Sequence, residues 1–211
     1  MSALRRGRAA ALPIDNVDTD QLIPARFMSA PRAQGYGRFL LHDLRHGEDG
    51  AARPGPWDHH PDILVAGRNF GCGSSREAAV YALVDAGIRV VIAPSFGDIF
   101  QGNAVNNGLV PARVSEDVGA ALLAQLAEGP AELTLDLEAL ALTRGDDVAP
   151  IALDPVHRLK LINGWDDLDL TAQHAAAIDD FADARRTAAP WVWPRIAAPE
   201  AATEPGPSKG R

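Results

Sequence analysis

Ile63-Leu64-Val65-Ala66-Gly67-Arg68-Asn69-Phe70-Gly71-Cys72-Gly73-Ser74-Ser75-Arg76-Glu77 is the stretch that decides the fold of this 211-residue chain. Its first four residues are an apolar run, rich in β-branched side chains, that predicts a buried strand. Beyond the glycines, apolar residues recur at helical spacing from about Ser75 and stop at Gly87, which predicts a helix and its end. Residues 89–93 are a second apolar run. This strand–helix–strand pattern predicts an α/β domain with a buried parallel sheet.

The glycine turn would lie at the carboxyl end of a strand, where open α/β sheets bind their ligands. Gly71 and Gly73 allow the backbone to approach a ligand closely because neither carries a Cβ. Ser74, Ser75 and Arg76 follow at the point where a helix presents its free N–H groups to an anion. A guanidinium can also bind a carboxylate through two parallel hydrogen bonds. The turn therefore predicts a carboxylate or phosphate site.

Other interpretations of the same turn differ in how many of its residues they explain. The spacing of Ser74 and Glu77 matches a capping box, in which Ser74 caps the helix and Glu77 reaches back to it, but this leaves Ser75 and Arg76 unexplained. The dinucleotide fingerprint fails because Arg76 stands at its third glycine, and no G-K-[ST] tripeptide of a P-loop occurs. Cys72 lies between two glycines without a recognisable base nearby, so we interpret it as a packing residue rather than a nucleophile.

Further motifs surround this turn in a consistent order. They occupy residues 16–27, 92–100, 102–109, 163–167 and 170–174. Together with residues 68–77 they resemble the swivelling domain of the aconitase superfamily, and in particular the small subunits of 3-isopropylmalate dehydratases. The similarity extends over about residues 10 to 195, which makes it far more specific than the turn alone.

The resemblance implies a fold and a reaction. The expected fold is a single α/β swivelling domain of the β/β/α, aconitase C-terminal type over residues 11–195, after an N-terminal tail of residues 1–10. The composition of residues 196–211 predicts a disordered C-terminal tail. The implied reaction is the isomerisation of 2-isopropylmalate and 3-isopropylmalate, by dehydration and rehydration, in leucine biosynthesis. Two alternatives are a related hydro-lyase of the citraconate/methylmalate or homoaconitate type and a stand-alone anion- or nucleotide-binding module.

The resemblance also implies roles for individual residues. Ser75 would be the base that removes a carbon-bound proton, and Asp20 a catalytic carboxylate near it, although aspartates in the 16–20 segment are also typical of turns. The segment 26–37 would sense the variable group of the substrate, unless it is a surface connection. The expected substrate-binding residues are Gly73, Ser74, Arg76 and Arg26.

In this family a separate large subunit carries a [4Fe–4S] cluster, and its iron binds the substrate hydroxyl and a carboxylate. One cysteine cannot supply the three or four thiolates that such a cluster needs, so we expect this chain to bind no cofactor. The implied partners are the large subunit and a small dicarboxylate, and neither subunit should be active alone. Ala78 stands where the family commonly has a histidine, which suggests a divergent branch.

Composition narrows the possible partners. The net charge of −8 argues against binding to nucleic acid or to an anionic membrane surface. No apolar stretch has the length of a membrane span, and one cysteine without a targeting segment fits a reducing cytoplasm. His42 and His46 are interpreted as a solvated helix face, and His174 as a packed residue on an apolar stripe, so no metal site is predicted.

The rest of the chain gives simpler signals. Apolar residues over 118–126 predict a helix that ends at 129–130, and the alternation over 133–137 predicts a half-buried strand. A turn at 145–146 would lead into a strand over 148–153. Thr171 is expected to cap a helix that reaches about residue 186.

Overall fold

The structure, a computed structural model, describes residues 3–193. In this part of the chain a seven-stranded mixed sheet has the order β4-β3-β2-β1-β5-β6-β7. Strands β1 to β4 are parallel to one another, and β5, β6 and β7 continue the sheet with antiparallel pairing. The strands are β1 (Leu4–Leu12), β2 (Ile63–Ala66), β3 (Val90–Ala93), β4 (Val110–Arg113), β5 (Ala131–Asp136), β6 (Ala141–Arg144) and β7 (Asp147–Pro150).

Helices connect and flank these strands. The helices are α1 (Thr19–Leu22), α2 (His42–Arg45), α3 (Glu77–Asp85), α4 (Asp98–Asn106), α5 (Glu116–Leu126), α6 (Pro155–Asn163), α7 (Asp167–Ala172) and α8 (Ala175–Ala188). The chain divides into two compact units, and the boundary follows Leu170. The first unit contains the whole sheet and the helices α1 to α6, and the second contains α8.

The parallel strands are buried on both faces of the sheet, as their continuous apolar sequences predict. Leu64 and Ala66 of β2 belong to one apolar cluster, which also contains residues of α1 and α3. Ile63 and Val65, their neighbours in the same strand, belong to the second cluster, which includes residues of α5. The four side chains are at most 1 % exposed. Helices therefore cover the sheet on both faces, and the predicted α/β architecture is confirmed.

The expected N-terminal tail is wrong, because β1 begins at Leu4 and lies in the middle of the sheet. It pairs with β2 on one side and with β5 on the other over six residue pairs. The first half of β1 is partly exposed, and Arg6 forms an ion pair with Glu132 of β5. Hydropathy gave no signal here because ladder hydrogen bonds, rather than burial, hold this half of the strand. The expected tail at 196–211 lies outside the described residues.

The C-terminal half agrees with the sequence in part. The predicted helix is α5, which Ser115 caps. Of the alternating leucines, Leu133 and Leu135 lie in β5 and Leu137 directly follows it, and all three are 0 % exposed. The strand expected over 148–153 is β7, which spans Asp147–Pro150, and its partner β6 was not predicted. The expected Thr171 cap is wrong, since Thr171 lies inside α7 and α8 starts after His174. His174 is exposed rather than packed, and Ile178 and Phe181 of the same expected stripe are exposed as well, at 45 % and 69 %.

Candidate active site

Three loops run side by side beyond the carboxyl ends of β1, β2 and β3. The amide of Gly71 donates to the carbonyl of Val17 at 2.7 Å, and the amide of Thr19 donates to the carbonyl of Cys72 at 3.0 Å. On the other side, the amide of Phe70 donates to the carbonyl of Ser95 at 3.0 Å. The glycine turn is therefore held as a short extension of the sheet between its two neighbours.

Of the two glycines of the turn, Gly71 is the one whose backbone closely approaches a neighbouring side chain. Its φ is +73°, and a Cβ built there would lie 2.2 Å from Cγ of Phe100 in α4. Gly73 also has a positive φ, of +90°, but the nearest atom to its Cβ position is 3.5 Å away. The lack of a Cβ at Gly71 therefore allows close packing against Phe100, whereas Gly73 allows the left-handed backbone of the turn.

An open cleft of about 280 Å³ lies over this turn. Its walls come from α1, from the turn after β2 and from the start of α4. The lining residues are Thr19, residues 71–76, residues 97–100 and Asn103. The cleft thus lies at the carboxyl edge of the parallel strands, where the sequence predicted a ligand site.

Helix α3 begins at Glu77, two residues later than the sequence indicated, and its N-cap is Arg76 without a side-chain capping bond. The capping box, which was one interpretation of the turn, is therefore not formed. The hydroxyl of Thr19 donates to the carbonyl of Ser74 at 3.0 Å and helps to hold this segment outside the helix. Glu77 instead accepts a hydrogen bond from the side-chain amide of Asn107 at 2.9 Å.

Because the helix starts late, Ser74 and Ser75 remain exposed in the cleft. Within residues 3–193 neither hydroxyl has a hydrogen-bond partner, so both are available to a ligand. Most of the predicted site residues, Gly73, Ser74, Ser75 and Arg76, are thereby brought together.

Arg76 forms an ion pair with Asp20 through its Nη1 atom. The Arg76 side chain is 23 % exposed, and this is the sole hydrogen bond of its guanidinium within the described part of the chain. Asp20 occupies the first turn of α1, which Asp18 caps by accepting from the amide of Gln21 at 2.7 Å. The structure thus brings Asp20 to the site through Arg76, and it leaves the Nε and Nη2 donors of Arg76 for a carboxylate.

Cys72 is half-buried at the base of the cleft. Burial raises the pKa of its thiol, and the nearby Asp18 carboxylate raises it further. The thiol is therefore protonated at neutral pH, which supports its interpretation as a packing residue.

Arg26 is the predicted site residue that the structure places elsewhere. It does not line the cleft but pairs with Asp43, with Nη1 and Oδ2 3.0 Å apart. Its guanidinium also lies over the ring of Phe27, 4.6 Å from the centroid. The hydrogen bond from Arg26 lowers the pKa of Asp43 to about 2. A role for Arg26 in substrate binding stays a prediction that the cleft geometry does not support.

The segment 26–37 is not a loose connection, although that was one of its two interpretations. It consists largely of short 3₁₀ turns that are fixed to the end of α3. Arg32 donates two hydrogen bonds to Asp85, at 2.7 and 3.0 Å, and the amide of Tyr36 donates to the same carboxylate at 2.6 Å.

His42 and His46 do not form the solvated face that was expected. Their rings stack with centroids 4.3 Å apart, and His42 also contacts the ring of Phe27. Within residues 3–193, no group of three or more His, Cys, Asp or Glu side chains is placed to hold a metal ion. A helix long and apolar enough to cross a membrane is likewise absent from the described residues.

Sequence reasoning missed several residues that build the cleft. Thr19 is 2 % exposed and holds both Cys72 and Ser74 by hydrogen bonds. Ile99 and Asn103 line the cleft from α4. A signal was present, since residues 95–100 follow a predicted strand next to the one that precedes the turn. The carboxyl ends of neighbouring parallel strands share one edge, which places both loops at the same site.

The comparison with known proteins agrees with this geometry. Residues 3–117 match the model of the aconitase C-terminal domain family. A 3-isopropylmalate dehydratase small subunit of Rhodospirillum centenum is 45 % identical over 194 residues, which cover 88 % of this chain and 95 % of that protein. One from Granulibacter bethesdensis is 43 % identical over 200 residues, which cover 90 % of this chain and 94 % of that protein.

A crystal structure of a protein with the same named activity is also similar to this chain, at lower sequence identity. The 3-isopropylmalate dehydratase chain from Methanocaldococcus jannaschii superposes with a TM-score of 0.61 at 26 % identity, over 84 % of this chain and 99 % of that one. The chain therefore belongs to the aconitase C-terminal domain family and, within it, to the small subunits of 3-isopropylmalate dehydratase, a hydro-lyase.

Proposed function

We propose that this chain, together with a cluster-bearing large subunit, isomerises 2-isopropylmalate and 3-isopropylmalate by dehydration and rehydration, and that Ser75 and Arg76 carry its share of the chemistry. The observation that supports these roles is their arrangement in the cleft. An exposed serine hydroxyl without an intramolecular partner lies next to a guanidinium that keeps free donors. Dehydration of a hydroxy-dicarboxylate needs both a base for a carbon-bound proton and a cation for a carboxylate.

Ser75 is proposed as the base. A serine hydroxyl is a weak acid, so its alkoxide must be stabilised by positive charge and oriented donors. Arg76 is adjacent in sequence and supplies that charge, since a guanidinium does not lose its proton in proteins. A positioned proton transfer contributes about 10²–10⁴-fold to the rate.

Arg76 is proposed to bind a substrate carboxylate. Asp20 holds the guanidinium through Nη1 and fixes its plane, which leaves the Nε–Nη2 edge for two parallel bonds to a carboxylate. The hydroxyl of Ser74 and the backbone at Gly73 complete the anion site, since both line the same cleft. Asp20, which is paired with Arg76, is the catalytic carboxylate that the family resemblance implies.

The iron–sulfur cluster fits the large subunit rather than this chain, because one cysteine cannot provide its thiolate ligands. When bound there, the cluster supplies a Lewis acid that activates the leaving hydroxyl. The small subunit contributes the proton acceptor, Ser75, and the guanidinium of Arg76 that binds the carboxylate. Ala78, which replaces the usual histidine, is 8 % exposed and does not line the cleft. Its presence therefore leaves both hydroxyls and the guanidinium in place.

The test is anaerobic turnover of 2-isopropylmalate by the two reconstituted subunits. Ser75→Ala should lower kcat by about 10²–10⁴-fold with little change in KM. Ser74→Ala is the matched control, because it removes a neighbouring hydroxyl that contributes to binding, and it should mainly raise KM. Arg76→Lys should raise KM and lower kcat, since an ammonium cannot make the two parallel bonds.

The remaining outcomes separate the alternatives. Activity that survives Ser75→Ala removes this hydroxyl from the role of base and leaves the reaction as proposed. Turnover of citraconate or of a longer tricarboxylate, without turnover of isopropylmalate, moves the assignment to a related hydro-lyase. If the chain binds anions but no reaction occurs with any large subunit, the stand-alone binding module is the better description.

A further inference from the structure

A second cavity, of about 230 Å³, lies at the opposite edge of the parallel strands from the candidate active site. Pro61 and Ile88, which precede β2 and β3, both line it. The glycine turn follows β2 at the other end of the strand. The proposed isomerisation therefore uses none of the residues of this second cavity.

The floor of the cavity is apolar. Leu40, Leu41, Leu64 and Ile88 line it and are at most 5 % exposed. Trp57 and prolines at 56 and 61 complete the apolar wall. A concave apolar surface of this kind favours the aliphatic part of a small ligand.

Two guanidinium groups line the same cavity without a carboxylate partner among residues 3–193. Arg38 donates to the side-chain oxygen of Gln34 at 3.0 Å and its guanidinium lies over the ring of Phe39, 4.6 Å from the centroid. Arg45 makes only long contacts, of 3.4 and 3.5 Å, with the carbonyls of Leu40 and Arg38. The carboxylate of Asp85, beside the cavity wall at 86, is already bound by Arg32. The cavity therefore has uncompensated positive charge above an apolar floor.

The backbone at its rim is also unusual. Leu41 and His60 both line the cavity, and both have left-handed backbones, with φ of 51° and 46°. A leucine rarely adopts this conformation, whereas a histidine adopts it more often. Such strain occurs preferentially at sites that bind ligands.

We infer that this cavity is a second ligand site, which binds a small carboxylate with a short aliphatic tail. The apolar floor takes the tail, and Arg38 and Arg45 bind the carboxylate. A charge-assisted contact to two guanidinium groups gives selectivity for an acid over the corresponding amide. The site is independent of the Ser75 cleft, and it gives the small subunit a place to bind a metabolite without occupying the active site.

Calorimetric titration of the full-length chain with isovalerate tests this inference, and isovaleramide is the uncharged control. Arg38→Gln and Arg45→Gln should each weaken isovalerate binding by about tenfold or more, because each removes a charged hydrogen-bond donor. Arg68→Gln, which removes an exposed guanidinium paired with Asp15 outside the cavity, is the matched control and should leave binding unchanged, and Arg76→Gln reports separately on any binding in the active-site cleft. Circular dichroism checks that each variant is folded, and the exposed Arg38 keeps the test valid if the Arg45 variant does not fold.

Three results would overturn the inference. The first is no binding of isovalerate up to about 10 mM, which corresponds to a negligible affinity. The second is equal binding of isovaleramide, since binding would then not depend on a charged contact with the guanidinium groups. The third is loss of binding with Arg76→Gln and not with the cavity variants, which would place the ligand in the active-site cleft.

Discussion

Substitution of Gly71 by alanine tests the close packing under the candidate active site. The new Cβ would lie 2.2 Å from Cγ and 2.5 Å from Cδ2 of the Phe100 ring. That ring cannot move away easily, because Phe100 is 3 % exposed and is stacked parallel to Phe96 with centroids 6.2 Å apart. It also meets Phe70 edge to face at 5.4 Å. The clash must therefore be relieved by shifting the turn or the aromatic cluster.

The expected cost has two parts. An alanine in a left-handed backbone costs about 1–2 kcal/mol. Forcing extra volume into a packed core costs about 1–3 kcal/mol more. Gly71→Ala should therefore lower the free energy of unfolding by about 2–5 kcal/mol, a large share of the ~5–15 kcal/mol of a typical domain.

Gly73→Ala is the matched control. Its φ of +90° imposes similar backbone strain, but the nearest atom to the new Cβ is 3.5 Å away. The control should therefore cost only the strain, about 1–2 kcal/mol. Urea unfolding of both variants, with unchanged slopes, measures the difference. If Gly71→Ala costs no more than Gly73→Ala, the close contact with Phe100 does not constrain this turn and the reasoning is refuted.

Other measurements follow from single contacts. Asp43→Asn removes the ion pair with Arg26, and the loss of stability should be small because both groups are exposed. This loss should be fully present above pH 3.8 and should disappear as the pH falls through about 2, the lowered pKa of Asp43. Urea unfolding across this range checks the sign. Iodoacetamide should alkylate Cys72 more slowly at neutral pH than it alkylates free cysteine, because the raised pKa keeps the thiol protonated, and mass spectrometry can follow the one cysteine directly. Lys160→Met should change the free energy of unfolding by less than about 1 kcal/mol in a thermal or urea melt, since Lys160 is 4 % exposed but the partners of its ammonium, Asn106 and Asp167, are exposed and can bind water instead; a loss of several kcal/mol would contradict this account.

Local patterns were sufficient for the part of the fold that positions the site. The apolar run of β2, the helical spacing of α3 and the alternation in β5 each depend on residues close in sequence. Strand β1 could not be predicted in this way, because its first half is charged and partly exposed. Its place in the sheet depends on backbone pairing with β2 and β5, which are more than 50 residues away. A single window of sequence carries no signal for such pairing.

The same limit applies to the residues that line the site. The glycines, serines and Arg76 of the turn were predicted because one short motif contains them all. Thr19 was missed, since its importance arises from hydrogen bonds to Cys72 and Ser74 that exist only in the folded chain. Arg26 was assigned by family resemblance, yet its nearest charged partner, Asp43, lies on α2 and holds it away from the cleft.

The late start of α3 explains why this turn can serve a ligand. A capping box around Ser74 would be worth about 1 kcal/mol and would occupy its hydroxyl. The loop after β1 instead makes three hydrogen bonds with residues 71–74, through the carbonyl of Val17 and the amide and hydroxyl of Thr19. Each of these is worth about 0.5–1.5 kcal/mol, so together they exceed the local cap. The tertiary contacts therefore hold Ser74 and Ser75 outside the helix, and within residues 3–193 both hydroxyls stay without a hydrogen-bond partner.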